Sequence, residues 1–302
     1  MPATKRQALW TAALLAMAAA AAPAHAQDFS EETSPYPTTE FAEGARTATI
    51  SAGSVTATIV MERHPEIDPD VDVPVLKVSV GGSEVLESIG VENVDTDEPA
   101  AVASIAEMDG SNSYPEVYFS SYNGGCCSTV IVAEQVGNAW VAVPIGDLDG
   151  DQDYLRDLDG DGIAEIATID VNFLSRFDCT ACSAAPRVIY SVSKGSVVDL
   201  TTEPRFQPAH RAWLKEIEDS VDPDARWKSR GFLAGWIAEK IRLGEGQAAW
   251  DEFTKHWDLL ADAGVELCPN GDDPDSCATK DQKLMKFPDE LRLFLTSQGY
   301  TF

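Results

Sequence analysis

The residues whose types and spacing point most directly to chemistry are Asp157-Leu158-Asp159-Gly160-Asp161-Gly162-Ile163-Ala164-Glu165. Alternate side chains of a tight turn project to one side, so Asp157, Asp159 and Asp161 offer carboxylate oxygens to a common point. A hard cation such as calcium takes about six to eight oxygens at close range, and three aspartates supply the anionic part of that set. Gly162 permits the sharp reversal that brings later residues back, so that the carbonyl of Ile163 and the carboxylate of Glu165 complete the protein ligands. The chemistry expected of this segment is calcium binding.

The surroundings separate the loop from an EF-hand, which needs a bidentate Glu at its twelfth position and a helix after it. Here that position is Thr168, and the run Ile163-Ala164-Glu165-Ile166-Ala167-Thr168-Ile169 alternates as a strand. The loop resembles the strand-flanked, Asp-rich calcium loops of FG-GAP and VCBS-type repeats, known from integrin α-chain propellers and many secreted bacterial proteins. The resemblance is carried by Asp157, Asp159, Asp161, Gly162 and Glu165 over roughly residues 100–200, and Glu165 stands where the pattern has Asp. It implies a calcium ion held on blade-like β repeats. Two weaker relatives accompany the loop. Asp147-Leu148-Asp149-Gly150-Asp151 has the alternate carboxylates but Gln152 where Gly is wanted, and reads as a turn that lends charge to its neighbour or is simply solvated. Glu107, Asp109 and Ser111 repeat the spacing with less charge and a longer turn, and tight binding is not expected there.

The six cysteines are Cys126, Cys127, Cys179, Cys182, Cys268 and Cys277. An even number in an exported chain reads first as disulfides. Cys268 and Cys277 bracket a polar loop and are expected to pair. The other four sit in matching loops of a repeat, so a vicinal Cys126–Cys127 bond with Cys179–Cys182 and cross-unit bonds both fit. Cys179-Thr180-Ala181-Cys182 has redox spacing, but Pro186 and a strand follow where a thioredoxin-like motif opens a helix. Adjacent cysteines also suit a tetrahedral zinc site poorly. The histidines beyond the N-terminal leader, His64, His210 and His256, lack metal-ligand spacing. No Gly-x-Ser-x-Gly elbow or phosphate-binding glycine loop appears, so no constellation supports an enzyme.

The elements that must position the loop are short β runs punctuated by turn residues from Arg46 to about Leu200. Gly81-Gly82 is a two-residue hairpin signal. Asp109-Gly110 aligns with Asp159-Gly160, and Pro115-Glu116-Val117 with Ala164-Glu165-Ile166, which makes an internal repeat of four-stranded units. Counting the first hairpins as a degenerate unit gives three, too few to close a propeller ring of about four or more blades. The fold class expected is mainly β with C-terminal helices: antiparallel meanders in an incomplete propeller or sandwich over 46–205, then a small helical domain over 206–302. Helices are predicted over 208–220, 227–243 and 247–263, with a last one starting at Pro288 and stopping at Gly299. Trp213, Trp227, Trp236, Trp250 and Trp257 recur at helical spacing and are expected to pack a core.

Lys5 and Arg6, an uncharged run over 8–22, Pro23 and Ala24-His25-Ala26 read together as a signal peptide over 1–26, with the mature chain starting at Gln27. The run is too short to span a bilayer comfortably, and no second apolar stretch approaches that length. Residues 27–45 read as a flexible acidic entry segment. The formal charge of −28 repels nucleic-acid phosphates and anionic lipid headgroups and attracts divalent cations. These features suggest a periplasmic or secreted calcium-binding protein with no membrane span and no nucleic-acid partner. Its expected role is to bind an envelope or extracellular macromolecule, protein or glycan, without catalysis. The alternatives are a secreted hydrolase with a structural calcium and a thiol-redox or metal-handling protein.

Overall fold

The computed structural model describes residues 35–42, 44–65, 70–92, 101–124, 126–149, 154–269 and 276–302. The leader over 1–26, the start at Gln27 and the Gly150-Asp151 end of the weak acidic turn lie outside them. Residues 34–302 group as one compact unit.

A short strand, β1 (Thr38–Glu40), precedes an antiparallel meander of β2 (Thr47–Ala52), β3 (Val55–Arg63), β4 (Asp72–Val80) and β5 (Ser83–Ile89). A second meander contains β6 (Ala101–Ala106), β7 (Glu116–Gly124), β8 (Cys127–Val136) and β9 (Ala139–Asp149), with β1 added beside β6. A third contains β10 (Leu155–Arg156), β11 (Glu165–Ile169), β12 (Arg187–Ser193) and β13 (Ser196–Asp199). The mainly β class and the repeated four-stranded meanders are therefore as expected. The end of the acidic entry segment differs, because Thr38–Glu40 is paired with Ser104, Ala103 and Val102. Thr38 Oγ1 also bonds Ser104 Oγ at 2.8 Å.

Side-chain alternation explains how the three sheets stack. Val117 and Phe119 of β7 face Val55, Ala57, Ile59, Leu76 and Val78 of the first meander. Tyr118, between them, faces the opposite way, toward Leu155, Ala164, Ile166 and Val192 of the third. The middle sheet is thus covered on both faces, and β7 is buried without interruption from Glu116 to Ser121 although three of those six residues are polar. Full burial of a side chain such as Phe119 contributes about 1.5–3 kcal/mol.

The remaining elements are α1 (Gln207–Asp219), α2 (Arg230–Arg242), α3 (Gly246–His256), the ribbon β14 (Val265–Leu267) with β15 (Lys283–Met285), and α4 (Phe287–Ser297). Helix α2 is capped by Ser229, whose Oγ accepts from the Phe232 N–H, and is buried continuously from Gly231 to Glu239. Its core includes Trp250, Phe253, Phe287 and Phe294 from the other helices, and Phe173 and Ala185 from the β11–β12 excursion. Trp236 and Trp250 are buried there, and Trp213, Trp227 and Trp257 pack against it, as their spacing predicts.

Gly235 lets this excursion lie on α2, because a Cβ there would run into the backbone C and O of Ala184. Gly235→Ala is expected to destabilise the protein by about 2 kcal/mol, the overpacking cost outweighing the gain in helix propensity of about 1 kcal/mol. Urea denaturation checks this, and an unchanged midpoint would contradict it.

Helix α3 stops at His256, short of the predicted Ala263. Asp258 Oδ1 accepts the N–H groups of Leu260 and Ala261, a local bond that competes with helix. Buried Asp262 draws the segment inward by accepting from Phe287 N, Gly264 N and the guanidinium of Arg230. Strands β14 and β15 were not foreseen, since neither three-residue run shows a period. The Asp147–Asp149 pair belongs to β9 instead of a free turn: Asp147 accepts from Thr129 Oγ1 at 2.5 Å, and Asp149 lies opposite Cys127.

Candidate metal centre

Leu155 and Arg156 pair with Ile166 and Glu165, so the loop is the connection of a narrow hairpin. The hairpin places the three aspartates on its outer side and Glu165 at the first position of β11. Asp157 accepts from the N–H of Gly160 at 2.7 Å and of Gly162 at 3.0 Å, which winds the turn around its carboxylate. Asp159 Oδ1 accepts from Asp161 N at 3.1 Å, and Asp161 Oδ1 from Ile163 N at 2.8 Å. Gly160 and Gly162 both have positive φ, at 81° and 87°, where a β-carbon would be strained. One carboxylate oxygen from each of Asp157, Asp159 and Asp161 lies within 4.8 Å of the others. That donor set, all hard oxygen and all anionic, fits calcium.

Glu165 is only 1% exposed. Its Oε2 accepts from Leu158 N at 2.9 Å, which ties the strand back to the start of the loop. Burial pushes its carboxyl up to about 7, and the charges of Asp159 and Asp161 act in the same direction. The phenol of Tyr36, beside β1, is raised by burial and then by the charges of Asp157 and Glu165. Ile163 contributes its N–H to the loop, and its side chain lines a shallow cavity with Asp109, Glu165, Ser193 and Arg205.

The degenerate copy repeats two of these hydrogen bonds, Met108 N to Glu116 matching Leu158 N to Glu165 and Ser111 N to Asp109 matching Asp161 N to Asp159. Glu116 opens β7 as Glu165 opens β11, and its Oε2 accepts from Met108 N at 2.6 Å and Asp109 N at 3.0 Å. Its other oxygen is held by Asn112, the residue that replaces Gly162 in this copy. Ser111 replaces Asp161, and its N–H donates to Asp109 Oδ1. The two copies touch, with Ala164 N donating to Glu107 O at 2.7 Å. Glu134 completes the junction: its carboxylate caps the β12–β13 turn through Lys194 N and Gly195 N at 2.7 and 2.8 Å.

The helical part matches a family model. Residues 210–299, from α1 to α4, fit the model described as the sll0997 C-terminal domain. The chain is 35% identical over 218 residues to a protein of Synechocystis sp. named "Probable thylakoid lumen protein sll0997", covering 70% of this chain and 63% of that one. It is 30% identical over 197 residues to "Uncharacterized protein y4bJ" of Sinorhizobium fredii, covering 64% of this chain and 31% of that one. The chain thus spans less than two thirds of the length of either relative. No solved structure matches it.

The six cysteines are paired locally: Cys126 with Cys127, Cys179 with Cys182 and Cys268 with Cys277. No cross-unit bond forms, because the loops after β7 and β11 close on themselves, and Asp149 lies beside the Cys126–Cys127 sulfurs. Cys179 and Cys182 are both exposed, next to Asp178.

Four residues with distant partners were not foreseen. Arg205 donates from Nη1 to Asp159 Oδ2 at 2.9 Å and Asp161 Oδ2 at 3.2 Å. Glu134 and the buried pair of His210 and Glu239 were likewise missed. Each meets its partner across a long stretch of sequence, where spacing carries no signal. His256 stacks on Trp227 at 4.4 Å between ring centroids.

Proposed function

We propose that this is an exported calcium-binding β-repeat protein, in which the ion stiffens the 157–165 loop of a scaffold that binds another macromolecule of the envelope or extracellular space. The observation that carries the calcium reading is the convergence of Asp157, Asp159 and Asp161 to within 4.8 Å on a turn wound by their own carboxylates. The resemblance to FG-GAP and VCBS loops supports it, while the Glu165 carboxylate stands outside that cluster and accepts from Leu158 N. Export is supported by the leader-like residues 1–26 and by the lumenal name of the Synechocystis relative. A protein or glycan partner suits a strongly acidic scaffold that carries calcium and no catalytic constellation. Among the described residues no helix is long and apolar enough to cross a membrane.

Calcium that binds the folded loop and not the unfolded chain adds RT ln(1 + [Ca]/Kd) to stability. With Kd on the order of 0.1–1 mM, as in extracellular modules, about 1 mM calcium contributes roughly 0.4–1.4 kcal/mol. Thermal melts of wild type in calcium and in chelator are expected to differ by a few degrees. Magnesium should shift the melt less, since it demands tighter octahedral geometry. Asp159→Ala should abolish the shift, and Asp109→Ala in the degenerate copy should leave it intact. Equal wild-type melts in calcium and chelator would refute the reading.

A further inference from the structure

We infer that Arg205 is a built-in counter-cation of the 157–165 loop, which competes with calcium for the same carboxylate oxygens and so lowers the affinity of the site. The inference rests on the calcium reading proposed above. Its basis is the bonding of individual oxygens. Asp159 and Asp161 each spend Oδ1 on a backbone N–H of the loop, which leaves Oδ2 as the oxygen each turns outward. Both Oδ2 atoms are taken by the single Nη1 of Arg205. A metal ion drawn to the outward oxygens meets a guanidinium already between them.

The position of Arg205 is set from outside the loop. Its Nε donates to Glu203 Oε2 at 2.8 Å, and its guanidinium lies over the ring of Phe206, 4.5 Å from the centroid. Phe206 is fully buried with Ile189 and Leu200 and leads directly into α1. The arginine therefore reaches the loop from the β13–α1 junction. Because Glu203 offers an alternative carboxylate, Arg205 can leave the aspartates without losing all its pairing. Ion occupancy would then be felt at the start of the helical part, through the side chain that the ion displaces.

The arginine is 40% exposed on its side chain, so removing it leaves no buried void. Calorimetric titration of the full chain with calcium chloride tests the idea on wild type, Arg205→Gln and Arg205→Lys. Arg205→Gln is expected to bind calcium about fivefold or more tightly, the scale of two partly exposed ion pairs. Arg205→Lys keeps the charge without the planar fork and should fall between the two. Melts in chelator provide a second reading, in which Arg205→Gln starts lower than wild type and gains more on adding calcium. Equal or weaker binding by Arg205→Gln would overturn the competition while leaving the calcium site standing. Absence of binding by all three proteins would remove both the site and this inference.

Discussion

Replacing Glu239 by alanine is expected to cost about 3–5 kcal/mol of stability, the penalty for breaking a buried polar pair on one side. Glu239 on α2 is fully buried, and each of its oxygens has a partner on a different element. Oε1 meets His210 Nδ1 of α1 at 2.7 Å, and Oε2 accepts from Arg187 N of β12 at 2.9 Å. His210 Nε2 in turn meets the carbonyl of Thr201 at 2.8 Å. Both ring nitrogens of His210 therefore lie within hydrogen-bond distance of an oxygen. Alanine would take the shared acceptor away from the buried ring and the Arg187 N–H together. Glu239→Gln should cost much less, because its amide oxygen can accept from Arg187 N while its NH2 donates to a neutral Nδ1. Urea denaturation of the three proteins measures this directly. Equal losses in the two variants would show that the pair owes its effect to packing rather than hydrogen bonding.

Glu116→Gln should remove a pH dependence that runs opposite to ordinary acid denaturation. Burial pushes the Glu116 carboxyl from 4.5 up to about 7, against the pull of Asn112 and the N–H groups of Met108 and Asp109. Between those two values the folded protein holds the proton more tightly than the unfolded chain does. Stability from this group is present below about pH 4.5 and is lost as pH rises through about 7, by roughly 3 kcal/mol. Glutamine does not titrate, so the stability of the variant relative to wild type should rise by about that amount between pH 4.5 and 7.5. Urea midpoints at four pH values across this range decide it. Parallel curves would mean that Glu116 is not held protonated in the folded state.

The elements that were legible in the sequence are those specified by neighbours along the chain. Gly81-Gly82 adopts positive φ at both positions and closes the β4–β5 hairpin, as a two-residue turn of that composition should. Phe232, Leu233, Trp236 and Ile237 recur with helical period and lie buried in α2. The repeat was legible for the same reason, since Glu116 and Glu165 hold corresponding places in their turns. What the sequence concealed depends on distant partners. The β1 strand exists because the edge of β6 is open to it, and α3 ends where Asp258 and Asp262 find backbone donors. Asp147 and Asp149 look like loop carboxylates until Thr129 and Cys127 are placed opposite them across the sheet. In the candidate metal centre, the aspartates and Glu165 were legible from spacing, whereas Arg205, which bonds Asp159 and Asp161, was not.

The most direct test of the account is calorimetric titration of the folded chain with calcium, alongside Asp159→Ala. A single saturable site in wild type with Kd on the order of 0.1–1 mM, absent from the variant, is the predicted result. No heat of binding in wild type at millimolar calcium, or the same binding in Asp159→Ala, would contradict it.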